Sequence, residues 1–257
     1  MSSTADRILT ERHGAILIVT INRPEARNAF DATSSAAMEA AMDMLDHDTS
    51  LFIGVITGTG GHFSAGADLK ARRRGEPRAS LSRGGFGVFR RPPRKPLIAA
   101  VEGYAIGGGF ELCLACDLIV AARDATFGLP EVRHNVVAVG GGLFRLPRRM
   151  PYHVAMELAL TGAFKDAESM HRFGVVNRVV APGMARDEAV RWAEALLVNG
   201  PTGLAAAKEI IFSATNWTEA EAWREQGAIA QVALQSEDRA EGLRAFAEKR
   251  KPVWKGR

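Results

Sequence analysis

Leu97 to Ala122, LIAAVEGYAIGGGFELCLACDLIVAA, is the most informative run in the chain. It opens with five apolar residues, Leu97 to Val101, which read as a buried strand ended by Glu102 and Gly103. Gly107 to Ala115 reads as a helix opened by glycines, and Leu118 to Ala122 as a second buried strand. The order is therefore strand, glycine turn, helix, strand, which predicts an α/β protein with parallel pairing.

The same order precedes it. Ile8 to Thr10 and Ala15 to Ile21 are β-type runs around a turn at Arg12 to Gly14, a predicted hairpin. Asp31 is placed as a helix N-cap, and Met38, Met42 and Leu45 fall three to four apart, so an amphipathic helix is predicted to about Asp46. It leads into a buried strand, Phe52 to Thr57. Beyond about Thr161 the spacing turns helical, with segments at Ala185 to Val198, Thr202 to Ala214, Glu219 to Leu234 and Glu237 to Lys249. We divide the chain into a core, residues 1–198, and a helical C-terminal region, residues 199–257.

Composition narrows the class. With 257 residues and 47% hydrophobic content the chain can bury a large core, which argues against a disordered or fibrous protein. A net charge of +4 admits anionic partners without indicating nucleic acid. No apolar run reaches the roughly 18–20 residues that span a bilayer, and MSSTADRILTERHG lacks the basic-then-apolar order of a secretory signal. A cytoplasmic protein is expected. Cys113 and Cys116 lie in apolar surroundings with no histidine or second pair to complete a metal site, so they read as core residues. The other histidines, such as His13, His47, His153 and His171, lack ligand spacing, and no metal is assigned. Lys70 to Lys95 carries ten Lys or Arg and one acid, interrupted by glycines and prolines. It reads as a long mobile loop, either a solvated basic surface or a flank for a polyanionic ligand.

Two glycine-containing turns follow predicted strands: Phe63-Ser64-Ala65-Gly66-Ala67-Asp68-Leu69 and Gly103 to Glu111. Small residues let a ligand approach the main chain, and a helix starting there leaves unpaired N–H groups, so two such turns can converge on one oxygen. Neither has the spacing of a nucleotide phosphate loop. Taken alone, Gly107 to Gly109 is equally consistent with close helix packing. Glu111 falls on the first helical turn, where the dipole favours a carboxylate, and Glu131 follows twenty residues later in Phe127-Gly128-Leu129-Pro130-Glu131. By residue type alone both are more often surface acids. Ser64 near His62 does not form a G-x-S-x-G elbow, which argues against a serine hydrolase.

FSAGADLK at 63–70, VEGYAIGGGFELCLACDLIVAA at 101–122 and FGLPEV at 127–132 resemble the signature segments of the enoyl-CoA hydratase (crotonase) superfamily. NRPEARNAF at 22–30 and SEDRAEGLRAFAEKRKPVWKG at 236–256 are similar to its terminal segments. The resemblance implies a spiral of ββα units with a helical C-terminal region that makes trimers, often paired into hexamers. It implies an oxyanion hole at the N–H groups of Ala67 and Gly108, and CoA contacts along Ala65, Gly66, Ala67, Asp68 and Leu69, with Arg27 and Lys249 as candidate phosphate contacts. It implies that Glu111 and Glu131 handle water and protons in the reversible hydration of a 2-enoyl-CoA to a 3-hydroxyacyl-CoA. CoA enters as part of the substrate, so no separate cofactor is expected. After Glu131 the sequence departs from the hydratase pattern, with Arg133 and His134 in place of apolar residues. An enoyl-CoA isomerase, a carnitinyl-CoA-type dehydratase, and a non-enzymatic CoA-thioester- or RNA-binding homologue are the alternatives.

Overall fold

The computed structural model describes residues 7–76 and 79–257. A six-stranded sheet forms its base. β1 (Ile8–His13) pairs antiparallel with β2 (Ile16–Ile21), and parallel pairing then runs through β3 (Ile53–Gly58), β4 (Leu97–Val101), β6 (Leu118–Ala122) and β9 (Arg178–Val180). The strands alternate strictly. Ile16, Ile18, Ile53, Val55, Ile98 and Val120 face one side, where helix α7 (Ala185–Leu196) lays Ala189 and Ala193 against them. Leu17, Val19, Ile21, Ile56, Ala99 and Val101 face the other and join the main core. Apolar residues on both faces are what a covered parallel sheet requires.

Three successive turns of chain share one plan. After each inner strand the chain lays down a short segment in a second layer, and a helix or a 3-10 turn follows. β4 is followed by β5 (Tyr104–Ile106) and α3 (Gly108–Ala115), while β6 is followed by β7 (Thr126–Gly128) and a 3-10 turn over Pro130–His134. β3 is followed by the 63–67 segment and α2 (Leu69–Arg73). Parallel bridges Ser64↔Ala105 and Phe30↔Ala67 extend the β5-β7-β8 sheet, where β8 is Phe164–Asp166. This second layer aligns the two glycine turns side by side.

α1 (Ala32–His47) starts where expected: Asp31 accepts from the Ser34 N–H at 2.8 Å, and Met38, Met42 and Leu45 are buried. The last helices are α8 (Pro201–Ala214), α9 (Glu219–Leu234) and α10 (Glu237–Ala247). α8 is tied to the core by Lys208, whose Nζ lies 2.6 Å from the Asp117 carboxylate and donates to the Lys95 carbonyl.

Two expectations are corrected. α5 (Tyr152–Thr161) ends at Thr161, and the region beyond it contains, besides α6 (Ala167–Arg172), the strands β8 and β9, each of three residues and too short to show a period of two. The basic segment 70–95 is not one long loop. It begins inside α2, and Arg83, only 1% exposed, anchors it to α1. Its guanidinium donates to Asp43 at 2.8 Å and to Asp46 at 2.7 Å, while its backbone N–H donates to Glu39. The Arg83 charge is thus satisfied by the neighbouring helix, whereas Arg72 and Arg90 of the same segment line the cavity described below. Residues 77–78 of this segment lie outside the described residues.

Candidate active site

The first glycine turn is held by buried polar side chains. Asn28, fully buried, donates to the carbonyls of Thr59 (2.9 Å) and His62 (2.6 Å) and accepts from the Arg23 N–H. Ser64, also buried, donates its hydroxyl to the Asn28 carbonyl and accepts from the Gly66 N–H. Its oxygen is a strut, engaged on both sides, which accords with rejecting a nucleophile there. His62 instead stacks on Tyr104, centroids 4.8 Å apart. Gly66 has φ +89°, and a Cβ there would fall 2.7 Å from the Ile106 carbonyl and 2.9 Å from the Gly108 nitrogen. Only glycine lets the two turns approach so closely.

Two amides emerge between them. Phe30 donates to the Gly66 carbonyl and accepts from the Asp68 N–H, the pattern of a parallel bridge to Ala67. That pattern turns the N–H of Ala67 itself away from Phe30. Gly108 is the first residue of α3, so its N–H has no acceptor within the helix. Both residues line a single cavity of about 690 Å³, with Ala65, Asp68 and Leu69 along it.

Glu111 and Glu131 line the same cavity. Glu111, one turn into α3, is 4% exposed. Its Oε1 accepts from the Gly142 N–H at 2.9 Å. Burial pushes its carboxyl above the ordinary glutamate range, opposed by the N–H groups of Gly142 and Gly140 and by the Arg145 guanidinium. Glu131, in the 3-10 turn, is half-buried. Its Oε1 lies 2.9 Å from where a Cβ on Gly107 would sit, and its Oε2 is buried with no hydrogen-bond partner among the described residues. Burial raises this carboxyl too; its own backbone N–H opposes the shift, and the neighbouring Glu111 charge adds to it. Two carboxyls with raised pKa values beside free amides can hold a water and exchange protons with a bound acyl group.

The structure does not bring every candidate here. Arg27 is exposed, lies over the Tyr104 ring and does not line the cavity; Lys249 is exposed on the C-terminal segment, also away from it in the single chain. His134 reaches the cavity, whereas Arg133 stacks over Phe164, 5.1 Å from its centroid. Cys113 and Cys116 are buried, and burial raises both thiols, Cys116 to about 12. They are core residues.

Sequence reading did not place Phe86 and Phe89 on the cavity's far wall. Phe86 stacks on Phe30 and Phe89, with centroids 4.2 and 4.7 Å apart, and a Cβ on Gly108 would strike the Phe86 ring at 2.6 Å. Gly140, Gly141 and Gly142 pack against Glu111, Phe89 and Arg145. This second glycine triplet was the available signal, but its partners are distant in sequence.

With this geometry in hand, the chain belongs to the enoyl-CoA hydratase/isomerase family, whose sequence model matches residues 11–257. It is 45% identical over 256 residues to the carnitinyl-CoA dehydratase of Citrobacter koseri, spanning 96% of this chain and 97% of the relative. An enoyl-CoA hydratase from Mycobacterium marinum superposes with TM-score 0.94 at 51% identity, covering 98% of this chain and 99% of the other. A carnitinyl-CoA hydratase from Mycobacterium avium does so with TM-score 0.78 at 40% identity, covering 98% and 99%. The crotonase-type α/β fold expected from the sequence is the fold observed.

Proposed function

We propose that this protein catalyses the reversible addition of water to a 2-enoyl-CoA, giving the 3-hydroxyacyl-CoA. The thioester oxygen binds between the N–H groups of Ala67 and Gly108. As the water oxygen bonds to C3, electrons move onto that oxygen and an enolate forms. Glu111 holds the water. Glu131 takes a proton from it and returns a proton to C2, so that H and OH are added and nothing is oxidised. The observation that carries the reading is the sharing of one cavity by two buried-carboxyl glutamates and two outward-facing amides. Loss of the conjugated thioester absorbance of crotonyl-CoA tests it. The wild type is expected to turn over, and Glu131→Gln and Glu111→Gln each to be strongly impaired. Full activity in both variants would remove the assignment.

A second reading is favoured by the dehydratase relative at 45% identity: the same chemistry on a carnitinyl-CoA-type substrate, with His134 on the cavity wall. Comparing rates on crotonyl-CoA and on the trimethylammonium-bearing thioester separates the two. We further propose a core of residues 1–198 and a helical region of residues 199–257 that assembles a homotrimer or hexamer in the cytoplasm. Exposed Ile211, Trp223, Val232 and Phe246 support that assembly. Arg27 and Lys249 are the proposed phosphate contacts, in addition to Ala65 through Leu69. No cofactor beyond the substrate's own CoA is proposed.

A further inference from the structure

We propose that Arg145 is a positioning residue that clamps the far wall of the cavity, holding Glu111 in the geometry the hydration requires. The inference rests on the reading given under Proposed function. Arg145 ends the short helix α4 (Gly142–Arg145) and is 6% exposed. Its guanidinium reaches two carbonyls 51 residues apart, donating to Phe89 at 2.6 Å and to Gly140 at 3.3 Å. One of the two carbonyls belongs to Gly140, which packs directly against Glu111. A Cβ on Gly140 would lie 2.3 Å from the Phe89 ring and 2.6 Å from Glu111 Oε2, so Gly140 is wedged between them. Two residues on, Gly142 donates to Glu111 Oε1.

A guanidinium suits this task because its planar fork presents several donors at fixed angles, whereas an ammonium is a point charge on a flexible stem. Burying it is unfavourable. Desolvation pulls Arg145 down to about 10, with Arg149 and Arg148 beside it adding to the shift and Glu111 and Cys116 opposing it. A buried cation that bonds two carbonyls and, among the described residues, no carboxylate is poorly explained as a stabilising ion pair. It is well explained as a brace for the turn that donates to Glu111. Glu111 is faced by Arg145 from α4 and by Glu131 from the 3-10 turn, one favouring its charge and the other opposing it.

Charge and clamp can be separated. In Arg145→Gln both are lost. The expected kcat on crotonyl-CoA falls about ten- to hundredfold, the cost of a small misplacement at the reacting centre. KM should stay within about twofold, because the clamp touches neither Ala65 to Leu69 nor the two amides. The acidic limb of the kcat profile should move to higher pH, since the cation that favours ionised Glu111 is gone. Arg145→Lys keeps a charge near Glu111 but cannot span both carbonyls. It should restore the acidic limb and leave kcat depressed. Wild-type kcat and pH limb in Arg145→Gln, or full wild-type kcat in Arg145→Lys, would overturn the proposal, and the lysine variant decides alone if the glutamine variant does not fold. A Glu111→Gln control keeps the two levels distinct: an inactive wild type or a fully active Glu111→Gln enzyme overturns the hydration reading itself.

Discussion

The two walls that carry the carboxyls are built differently. Glu111 stands on a helix, accepts a hydrogen bond from the Gly140–Gly142 turn and has a guanidinium behind it. Glu131 stands on a 3-10 turn, and one of its oxygens is buried with no partner among the described residues. Both environments raise the carboxyl by burial, but only the first compensates with several donors and a cation. The difference is one of support: Glu111 is held in place by its donors, whereas Glu131 keeps an oxygen without a partner among the described residues, the arrangement that the proposed hydration asks of its proton carrier.

That contrast makes Glu131 the more sensitive position. Glu131→Gln should lower kcat by about 10² to 10⁴, the usual worth of a general acid or base, as read in steady-state hydration of crotonyl-CoA. Moving the two turns should cost nearly as much. Gly66→Ala imposes a side chain at φ +89° and drives a Cβ toward Ile106 O and the Gly108 nitrogen. An activity loss of about a hundredfold is expected, with a lower melting temperature.

The contrast is sharpened by pH. Removing the like charge in Glu111→Gln should lower the pKa of Glu131, so the acidic limb of the residual rate should move to lower pH. The smallest effect is on stability. A carboxyl whose folded pKa lies above its unfolded value binds protons more readily in the native state, so stability falls as pH rises through that window. Glu131→Gln should therefore raise the neutral-pH melting temperature, by about 2–4 °C if the gain is about 1 kcal/mol. The gain should vanish at pH values below the unfolded glutamate pKa, where both carboxyls are neutral.

Much of this was legible in the sequence. Apolar runs and the cap at Asp31 mark real elements, because local spacing and side-chain-to-backbone bonds are local facts. The glycine turns, too, were visible as turns. Their convergence was carried by the family resemblance, since a bridge such as Ser64↔Ala105 depends on sheet order. Least legible were features formed by long-range contact. β8 and β9 exist because their partners are β7 and β6, and Arg83 looked like loop charge until α1 supplied Asp43 and Asp46. Arg145 gave no signal at all, because what it grips are backbone carbonyls.

The meeting of one acyl oxygen with both amides is tested most directly by a crystal structure of the Glu131→Gln protein with crotonyl-CoA. The predicted result is a thioester oxygen about 2.7–3.1 Å from both the Ala67 and the Gly108 nitrogens, with C3 facing Glu111. An oxygen bound to neither amide, or a thioester lying outside the cavity, would contradict it.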